Sequence, residues 1–115
     1  MDQSSSDAWT TMKRASIGSG SVDFEAYEAR GSDGQLRKLS KREAMLLKLL
    51  IGREGQVVSR EDILQLVWGY DILPSTRTID NFILAFRKTF EKDPKHPQHF
   101  HSIRGVGYKF SRNSD

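Results

Sequence analysis

The 115-residue chain can bury one modest hydrophobic core, and its lack of cysteine excludes a disulfide framework and a thiolate metal site. Its formal net charge of +3 is uneven, because residues 76–115 hold eight Lys and Arg against four Asp and Glu, whereas residues 1–75 hold ten against eleven. This distribution favours a polyanionic partner for the C-terminal part, and no apolar run approaches the roughly 18 residues that a membrane span needs.

Residues 1–14 are rich in Ser and Thr and show no hydrophobic period. We predict that they form a disordered linker or an artificial tail, and that the folded domain spans residues 15–112. They also lack the charged-then-apolar order of a signal peptide, so a cytoplasmic protein is expected.

Alternating apolar residues predict strands in the N-terminal third. Val22, Phe24 and Ala26 alternate with polar neighbours, which is typical of a half-buried strand. A turn is predicted at residues 31–34 and another strand at residues 35–39, and an earlier strand can begin at Ile17. The N-terminal third is therefore predicted to be a small antiparallel sheet.

The first predicted helix follows this sheet. Ser40 and Glu43 have the spacing of a capping box, in which the side chain of each residue bonds the backbone of the other. The strongly apolar residues 46–51 come next, and Gly52 and Gly55 are expected to end the helix.

A short strand at residues 57–58 and a second helix are predicted next. Ser59 is placed to cap this helix, with Glu61 and Asp62 in the first turn, where carboxylates suit the helix dipole. Gly69 is expected to end it. The predicted buried stripe is Ile63, Leu64, Val67 and Trp68.

A third helix is predicted from Ser75 or Thr76 to about Lys92. At about 100° per residue, four apolar residues share a narrow sector that should face the core: Ile79, Ile83, Phe86 and Phe90. The opposite face holds Arg77, Asn81, Leu84, Lys88 and Lys92, with Thr78 and Ala85 at its edge and Asp80, Phe82 and Arg87 on its flanks. Such a helix fits the major groove of B-DNA. A charged outer face alone, however, is more often simply solvated.

The C-terminal residues predict a loop and then a hairpin. Two X-Pro pairs force the loop at residues 93–97, and the closing hairpin is expected to turn at Gly105 and Gly107. Arg104 lies at this tight turn, and a basic ribbon tip can enter a minor groove, whose narrow form concentrates negative potential. Turn chemistry alone would also explain the glycines.

The chain resembles the OmpR/PhoB family, the winged-helix output domains of bacterial two-component response regulators. The resemblance covers residues 17–110 and rests on ordered motifs: Leu39-Ser-Lys-Arg-Glu43, Val58-Ser-Arg-Glu-Asp-Ile-Leu64, Val67-Trp-Gly69, Arg77-Thr-Ile-Asp80 with Arg87-Lys88, and Ile103-Arg-Gly-Val-Gly-Tyr108. It implies an α+β winged helix-turn-helix fold with an N-terminal antiparallel four-stranded sheet, three helices and a C-terminal hairpin wing. It implies neither catalysis nor a cofactor.

The same resemblance implies sequence-specific binding of double-stranded promoter DNA and regulation of transcription. The third helix would lie in the major groove and the wing in the minor groove, on tandem half-sites occupied by a head-to-tail homodimer. RNA polymerase is the implied second partner. The family usually joins this domain to an N-terminal receiver domain of a phosphorelay, for which 115 residues leave no room. We therefore expect an excised output domain or a stand-alone variant.

Site residues follow from the resemblance by position. Phosphate contacts are implied for Arg60, Trp68, Arg77, Ser102 and Tyr108, base-facing positions for Thr78, Asp80, Asn81 and Ala85, DNA contacts for Arg87 and Lys88, and a minor-groove contact for Arg104. The polymerase contact is implied for the loop residues Tyr70, Asp71, Ile72, Leu73 and Pro74.

One departure from the family pattern lies in the middle of the third helix. The family often has polar or basic residues at the positions of Leu84 and Ala85, where this chain has no hydrogen-bonding side chain. A bidentate Arg–base contact discriminates by about 1–3 kcal/mol. Without one, this chain either reads its site through methyl contacts and Asn81 or binds more weakly per domain.

Two other functions compete with DNA binding. His96, His99 and His101 lie close together, but no cysteine or nearby carboxylate after Asp93 completes a ligand set, so no metal site is expected. The second alternative is a winged helix used for protein–protein interaction through an apolar patch of Leu84 and Phe82. Salt dependence separates this alternative from DNA binding, because only phosphate contacts weaken steeply with salt.

Overall fold

The computed structural model describes residues 8–69 and 76–112 of the chain. An N-terminal sheet is followed by three helices and a C-terminal hairpin, so the predicted α+β winged-helix fold is confirmed. The strands are β1 (Arg14–Ile17), β2 (Gly20–Asp23), β3 (Glu28–Arg30), β4 (Leu36–Lys38), β5 (Val57–Ser59), β6 (Phe100–Ile103) and β7 (Gly107–Phe110). The helices are α1 (Lys41–Gly52), α2 (Arg60–Ile63, continued by a π turn over Leu64–Trp68) and α3 (Thr76–Phe90).

The N-terminal sheet is an antiparallel meander in the order β1-β2-β3-β4. The predicted strand from Val22 to Ala26 ends earlier, at Asp23. The Asp23 carboxylate accepts the backbone N–H groups of Glu25 and Ala26 at 3.0 and 3.1 Å, which turns the chain there. Ala26 is consequently exposed, and its predicted place in the alternating strand is wrong.

Regular structure begins at Ala8, before the predicted start of the folded domain at residue 15. Ala8–Thr11 form a short 3-10 turn, and Trp9 is only 8% exposed within the hydrophobic core. The Trp9 Cβ packs against Gly52 at the end of α1, and a Cβ added at Gly52 would collide with it. The Ser/Thr-rich composition of residues 1–14 predicted disorder and gave no indication that Trp9 packs into the core. The predicted tail also includes residues 1–7, which lie outside the described residues.

Side-chain caps begin the first two helices as predicted. Ser40 Oγ accepts the Glu43 N–H at 3.1 Å, and the Glu43 carboxylate accepts the Ser40 N–H at 2.7 Å. Ser59 Oγ accepts the Asp62 N–H at 3.0 Å. Gly69 closes the π turn of α2, because its N–H donates to the Leu64 carbonyl at 2.9 Å. Among residues 8–69 and 76–112, no helix has the length and apolar character to cross a membrane.

Helix α3 buries its predicted stripe of Ile79, Ile83, Phe86 and Phe90, each at most 2% exposed. It ends at Phe90, short of the predicted Lys92. The next residue, Glu91, is 3% exposed, and its carboxylate accepts the backbone N–H groups of Gln98, His99 and Phe100 at 2.8, 2.9 and 2.8 Å. This carboxylate closes the loop back onto the helix end.

The C-terminal hairpin belongs to a three-stranded sheet in the order β5-β7-β6. The predicted short strand at residues 57–58 is therefore the third member of the wing sheet. Gly107 permits this arrangement, because a Cβ there would collide with the Val58 carbonyl of β5. The wing is thereby anchored at the start of α2.

Replacing Glu91 with Gln should destabilise the fold. The amide keeps the shape but has one acceptor oxygen where the carboxylate has two, and its NH2 group would face backbone N–H donors. We expect Glu91→Gln to lower the free energy of unfolding by about 1–3 kcal/mol in urea denaturation, with an unchanged m value. Glu25→Gln, on an exposed turn, is the matched control and should change stability by less than about 0.5 kcal/mol. Equal stability of both variants would contradict the role of Glu91.

Candidate nucleic-acid interface

The outer face of α3 presents Arg77, Asn81, Leu84 and Lys88 to solvent. Their spacing of three or four residues places them in one row along the helix, opposite the buried stripe. Within residues 8–69 and 76–112, the side chains of Arg77, Asn81 and Lys88 have no hydrogen-bond or ion-pair partner. The row therefore offers two cations, one amide and one apolar group to a ligand.

Asp80, on the flank of this row, is held by hydrogen bonds to other residues of the protein. Its Oδ1 accepts a hydrogen bond from Arg60 Nη2 at 3.2 Å and another from the Tyr108 hydroxyl. The Arg60 guanidinium also lies 5.2 Å from the centre of the Tyr108 ring, within the range of a cation–π contact. These three residues join the start of α2, the second turn of α3 and strand β7, and we call them the Asp80 link.

Protonation states support the Asp80 link at neutral pH. Burial, reinforced by the hydrogen bond to Asp80, raises the pKa of Tyr108 to about 12, so its hydroxyl remains a neutral donor. The hydrogen bond to Asp80 also raises the pKa of Arg60 above its usual value, so the guanidinium remains a cation. Arg60 Nε is buried and has no hydrogen-bond partner in the described part of the chain.

A second link joins α3 to the wing further along the helix. Arg87 donates from Nε and Nη2 to the Phe100 carbonyl at 3.0 and 2.9 Å, and from Nη2 to Ser102 Oγ at 2.9 Å. Two polar links, from Asp80 and from Arg87, thus hold α3 against the wing. Apart from the Phe100 carbonyl, both are built from residues that the family resemblance places at the DNA.

Trp68 lies at the end of α2, partly buried between α1 and α3. Its ring centre is 5.4 Å from that of Phe82, and the Arg42 guanidinium lies 5.6 Å from the ring centre on another side. Phe82 is therefore directed towards Trp68. Because residues two apart on a helix do not face each other, Phe82 does not extend the outer face around Leu84.

The wing presents Arg104 at its tip. Arg104 is exposed in the turn between β6 and β7, and Val106 beside it is 48% exposed. Gly105 has φ +76°, a left-handed conformation that glycine adopts without strain. The Arg104 side chain has no bonded partner among the residues with described positions.

A surface cleft of about 310 Å³ lies between β4 and α3 and includes residues that the sequence did not single out. Arg37 and Lys38 of β4 line it together with Ala85 and Lys88 of α3. Both β4 cations have exposed carboxylate partners, Asp33 and Glu28, at 3.4 and 3.9 Å. Tertiary packing thus brings two basic groups of the N-terminal part, which has no excess of positive charge, beside the outer face of α3.

The three histidines make separate contacts in and near the loop. His96 Nδ1 lies 2.8 Å from Asp93, and this hydrogen bond lowers the pKa of the Asp93 carboxyl. His99 Nδ1 lies 2.8 Å from the Ser111 carbonyl, and His101 Nε2 lies 3.1 Å from the Gln98 carbonyl. In the part of the chain that the structure describes, no group of three or more His, Asp or Glu side chains could hold a metal ion.

The structure sorts the predicted site residues into groups. Four of them are exposed: Arg77, Asn81, Lys88 and Arg104. Three are partly buried: Trp68, Thr78 and Ala85. The other five form the side-chain hydrogen bonds of the two links: Arg60, Asp80 and Tyr108 in one, Arg87 and Ser102 in the other. Leu84, which the predicted contacts omit, lies 51% exposed within the outer face. The predicted polymerase loop, residues 70–74, lies outside the described residues.

Comparisons with known proteins agree with this geometry. Residues 34–110 match the family described as transcriptional regulatory protein, C terminal. The response regulator DrrB, an OmpR/PhoB homolog of Thermotoga maritima, is 29% identical with a TM-score of 0.71, over 89% of this chain and 46% of DrrB. The DNA-binding domain of Escherichia coli CpxR is 33% identical with a TM-score of 0.68, over 90% of this chain and 100% of that domain.

The Klebsiella pneumoniae RstA DNA-binding domain, solved in complex with the RstA box, is also similar. It is 24% identical with a TM-score of 0.68, over 89% of this chain and 100% of that domain, and this likeness shows the fold alone. The present chain spans about half the length of DrrB, as the 46% coverage indicates.

Tyr108 should titrate late in alkali. Its phenol has a pKa of about 12, above the usual value near 10, so the stability that it contributes is present below pH 10 and is lost as the pH rises towards 12. Difference absorbance at 295 nm between the wild type and Tyr108→Phe should isolate one phenol that ionises near pH 12. If the phenol removed by this substitution ionises near pH 10, the Asp80 link does not form as described.

Proposed function

The chain belongs to the C-terminal family of transcriptional regulatory proteins, the winged-helix DNA-binding domains of OmpR/PhoB-type response regulators, and we propose that it binds double-stranded promoter DNA sequence-specifically to regulate transcription. The family consists of DNA-binding regulators and is not an enzyme class. The observation that carries the proposal is the row of Arg77, Asn81 and Lys88 on one exposed side of α3. Among the described residues, none of these side chains has a hydrogen-bond or ion-pair partner.

Helix α3 is proposed to lie in the major groove. Asn81 can bond an adenine edge there, while Arg77 and Lys88, near opposite ends of the row, can neutralise phosphates that border the groove. Thr78 and Ala85, at the edges of the row, would lie close to the bases. The wing would then place Arg104 in the adjacent minor groove, where a narrow groove concentrates negative potential.

Residues of the two links are proposed to act partly through their internal bonds. A guanidinium has five N–H donors, so Arg60 and Arg87 can each bond a phosphate while keeping their links to Asp80 and Phe100. Trp68 and Ser102 would add phosphate contacts from the end of α2 and from β6. Tyr108 is only 4% exposed, which favours a role in holding Asp80 over a contact of its own.

Further partners are proposed from the family alone. RNA polymerase would contact residues 70–74, and two copies would bind tandem half-sites head to tail. This chain matches 46% of DrrB, and regulation through a phosphoacceptor receiver domain is proposed from the family. A cytoplasmic location is proposed as well. Selecting bound sites from random duplexes with this chain would reveal the half-site and, through the spacing of paired half-sites, the arrangement of the two copies.

Salt dependence tests whether phosphates are the ligand. Each neutralised phosphate contributes about −0.9 to the slope of log K against log salt concentration, so contacts from Arg77, Lys88 and Arg104 predict a slope of about −2.7 or steeper. Fluorescence anisotropy with a selected, labelled duplex over a range of salt concentrations measures this slope. A flat dependence would contradict DNA binding through this face and favour an apolar protein contact.

Arg77→Ala and Arg104→Ala should each weaken binding to the selected duplex at moderate salt by about five-fold or more, and each should make the salt slope shallower by about 0.9. Arg14→Ala is the matched control, because Arg14 has a 76% exposed side chain on β1, the edge strand at the far side of the sheet from β4. It removes the same charge and should leave the affinity nearly unchanged. If all three variants bind alike, the assigned contacts are wrong.

A further inference from the structure

Leu84 occupies the middle of the row on α3. It is 51% exposed, with Asn81 one turn before it and Lys88 one turn after it. The polar side chains on the flanks of this row, Asp80 and Arg87, are held by the two links. The part of the proposed interface that would lie deepest in the groove therefore offers an apolar group beside a single amide.

Exposure of one leucine is ordinary and does not by itself indicate a partner. A broader apolar patch would support a protein contact, but Phe82 is directed towards Trp68, with ring centres 5.4 Å apart. Leu84 is thus an isolated apolar group within a basic row. Arg77 and Lys88 lie on either side of it along the helix, and this charge pattern is complementary to a polyanion.

The major groove exposes one apolar group among its base edges, the 5-methyl group of thymine. Against any other base edge, Leu84 would remove water from a hydrogen-bond donor or acceptor without replacing that bond, which is unfavourable. We propose that Leu84 is a specificity-determining residue that packs on the 5-methyl group of a thymine in the half-site. This inference rests on the proposed DNA binding and adds the base that the middle of α3 selects.

Asn81 supports the same preference. An asparagine can bond the N6 and N7 groups of adenine, and its Cβ on a helix lies about 5–6 Å from that of a residue three positions on. This distance is comparable to about one or two base steps of a duplex, each of 3.4 Å along a strand. Asn81 and Leu84 together therefore select A·T pairs at neighbouring positions.

The experiment removes the methyl group from the DNA. Bound sites are selected with this chain from two random duplex libraries, one made with thymidine and one with deoxyuridine, which pairs identically but lacks the 5-methyl group. The thymidine library should yield a half-site with a thymine that the deoxyuridine library does not enrich. In the selected duplex, replacing that thymine with deoxyuridine should weaken wild-type binding by about three- to five-fold, as burial of one methyl group implies.

Leu84→Ala tests whether this residue senses the methyl group. The variant should bind the thymidine and deoxyuridine duplexes with equal affinity, and its folding is checked by thermal melting. Leu36→Ala is the matched control, since Leu36 is 58% exposed on β4 and lines a separate surface with Arg14 and Arg112. It should retain the wild-type preference for thymine.

The possible failures point to different errors. If the wild type selects no sequence and binds no duplex, the proposed DNA binding is wrong and the inference falls with it. If the wild type binds but shows no loss on methyl removal, or if Leu84→Ala keeps the full loss, DNA binding stands and the assignment of Leu84 is overturned. A persistent loss in Leu84→Ala would instead indicate an effect of the methyl group on DNA shape or on another side chain.

Discussion

Packing around Phe100 determines where α3 lies relative to the wing. The Phe100 ring is 5.5 Å from Phe86 and 6.1 Å from Phe90, both on the buried stripe of α3, and 5.4 Å from Phe110 on the neighbouring strand. One aromatic side chain of β6 thus contacts both the helix and the other wing strand. Because protein cores are closely packed, a shift of the wing would move α3 with it.

The two polar links also join α3 to the wing, and they occupy side chains that the proposed interface would otherwise offer to bases. Asp80 and Arg87 are held by Arg60, Tyr108, Phe100 and Ser102. Their bonds add orientation to the apolar packing, since a hydrogen bond has a preferred direction and a hydrophobic contact does not. Side chains committed to these bonds have fewer donors and acceptors left for bases. In the proposed complex, reading of the major groove therefore falls to Asn81 and Leu84, which lie on the outer face.

Local signals in the sequence were sufficient for much of the fold. The caps at Ser40 and Ser59 and the buried stripe of α3 were predicted correctly, because hydrogen bonds within four residues and a period of 3.6 depend on nearby positions only. Similarity of ordered motifs supplied the remaining architecture, including the strand Glu28–Arg30, which alternation did not single out. The candidate interface was predictable to the same extent: helical spacing placed Arg77, Asn81 and Lys88 on one exposed face.

The sequence by itself therefore determined most of the helices and strands, the caps of α1 and α2 and the face that α3 turns outwards. Only the tertiary structure decided which polar side chains of that region bond to each other, since Asp80 and Tyr108, or Arg87 and Phe100, are brought together across 28 and 13 positions of sequence. It also decided that Trp9 joins the core and that Glu91 ends α3. These contacts depend on the packing of whole elements in three dimensions, which no periodicity along the chain records.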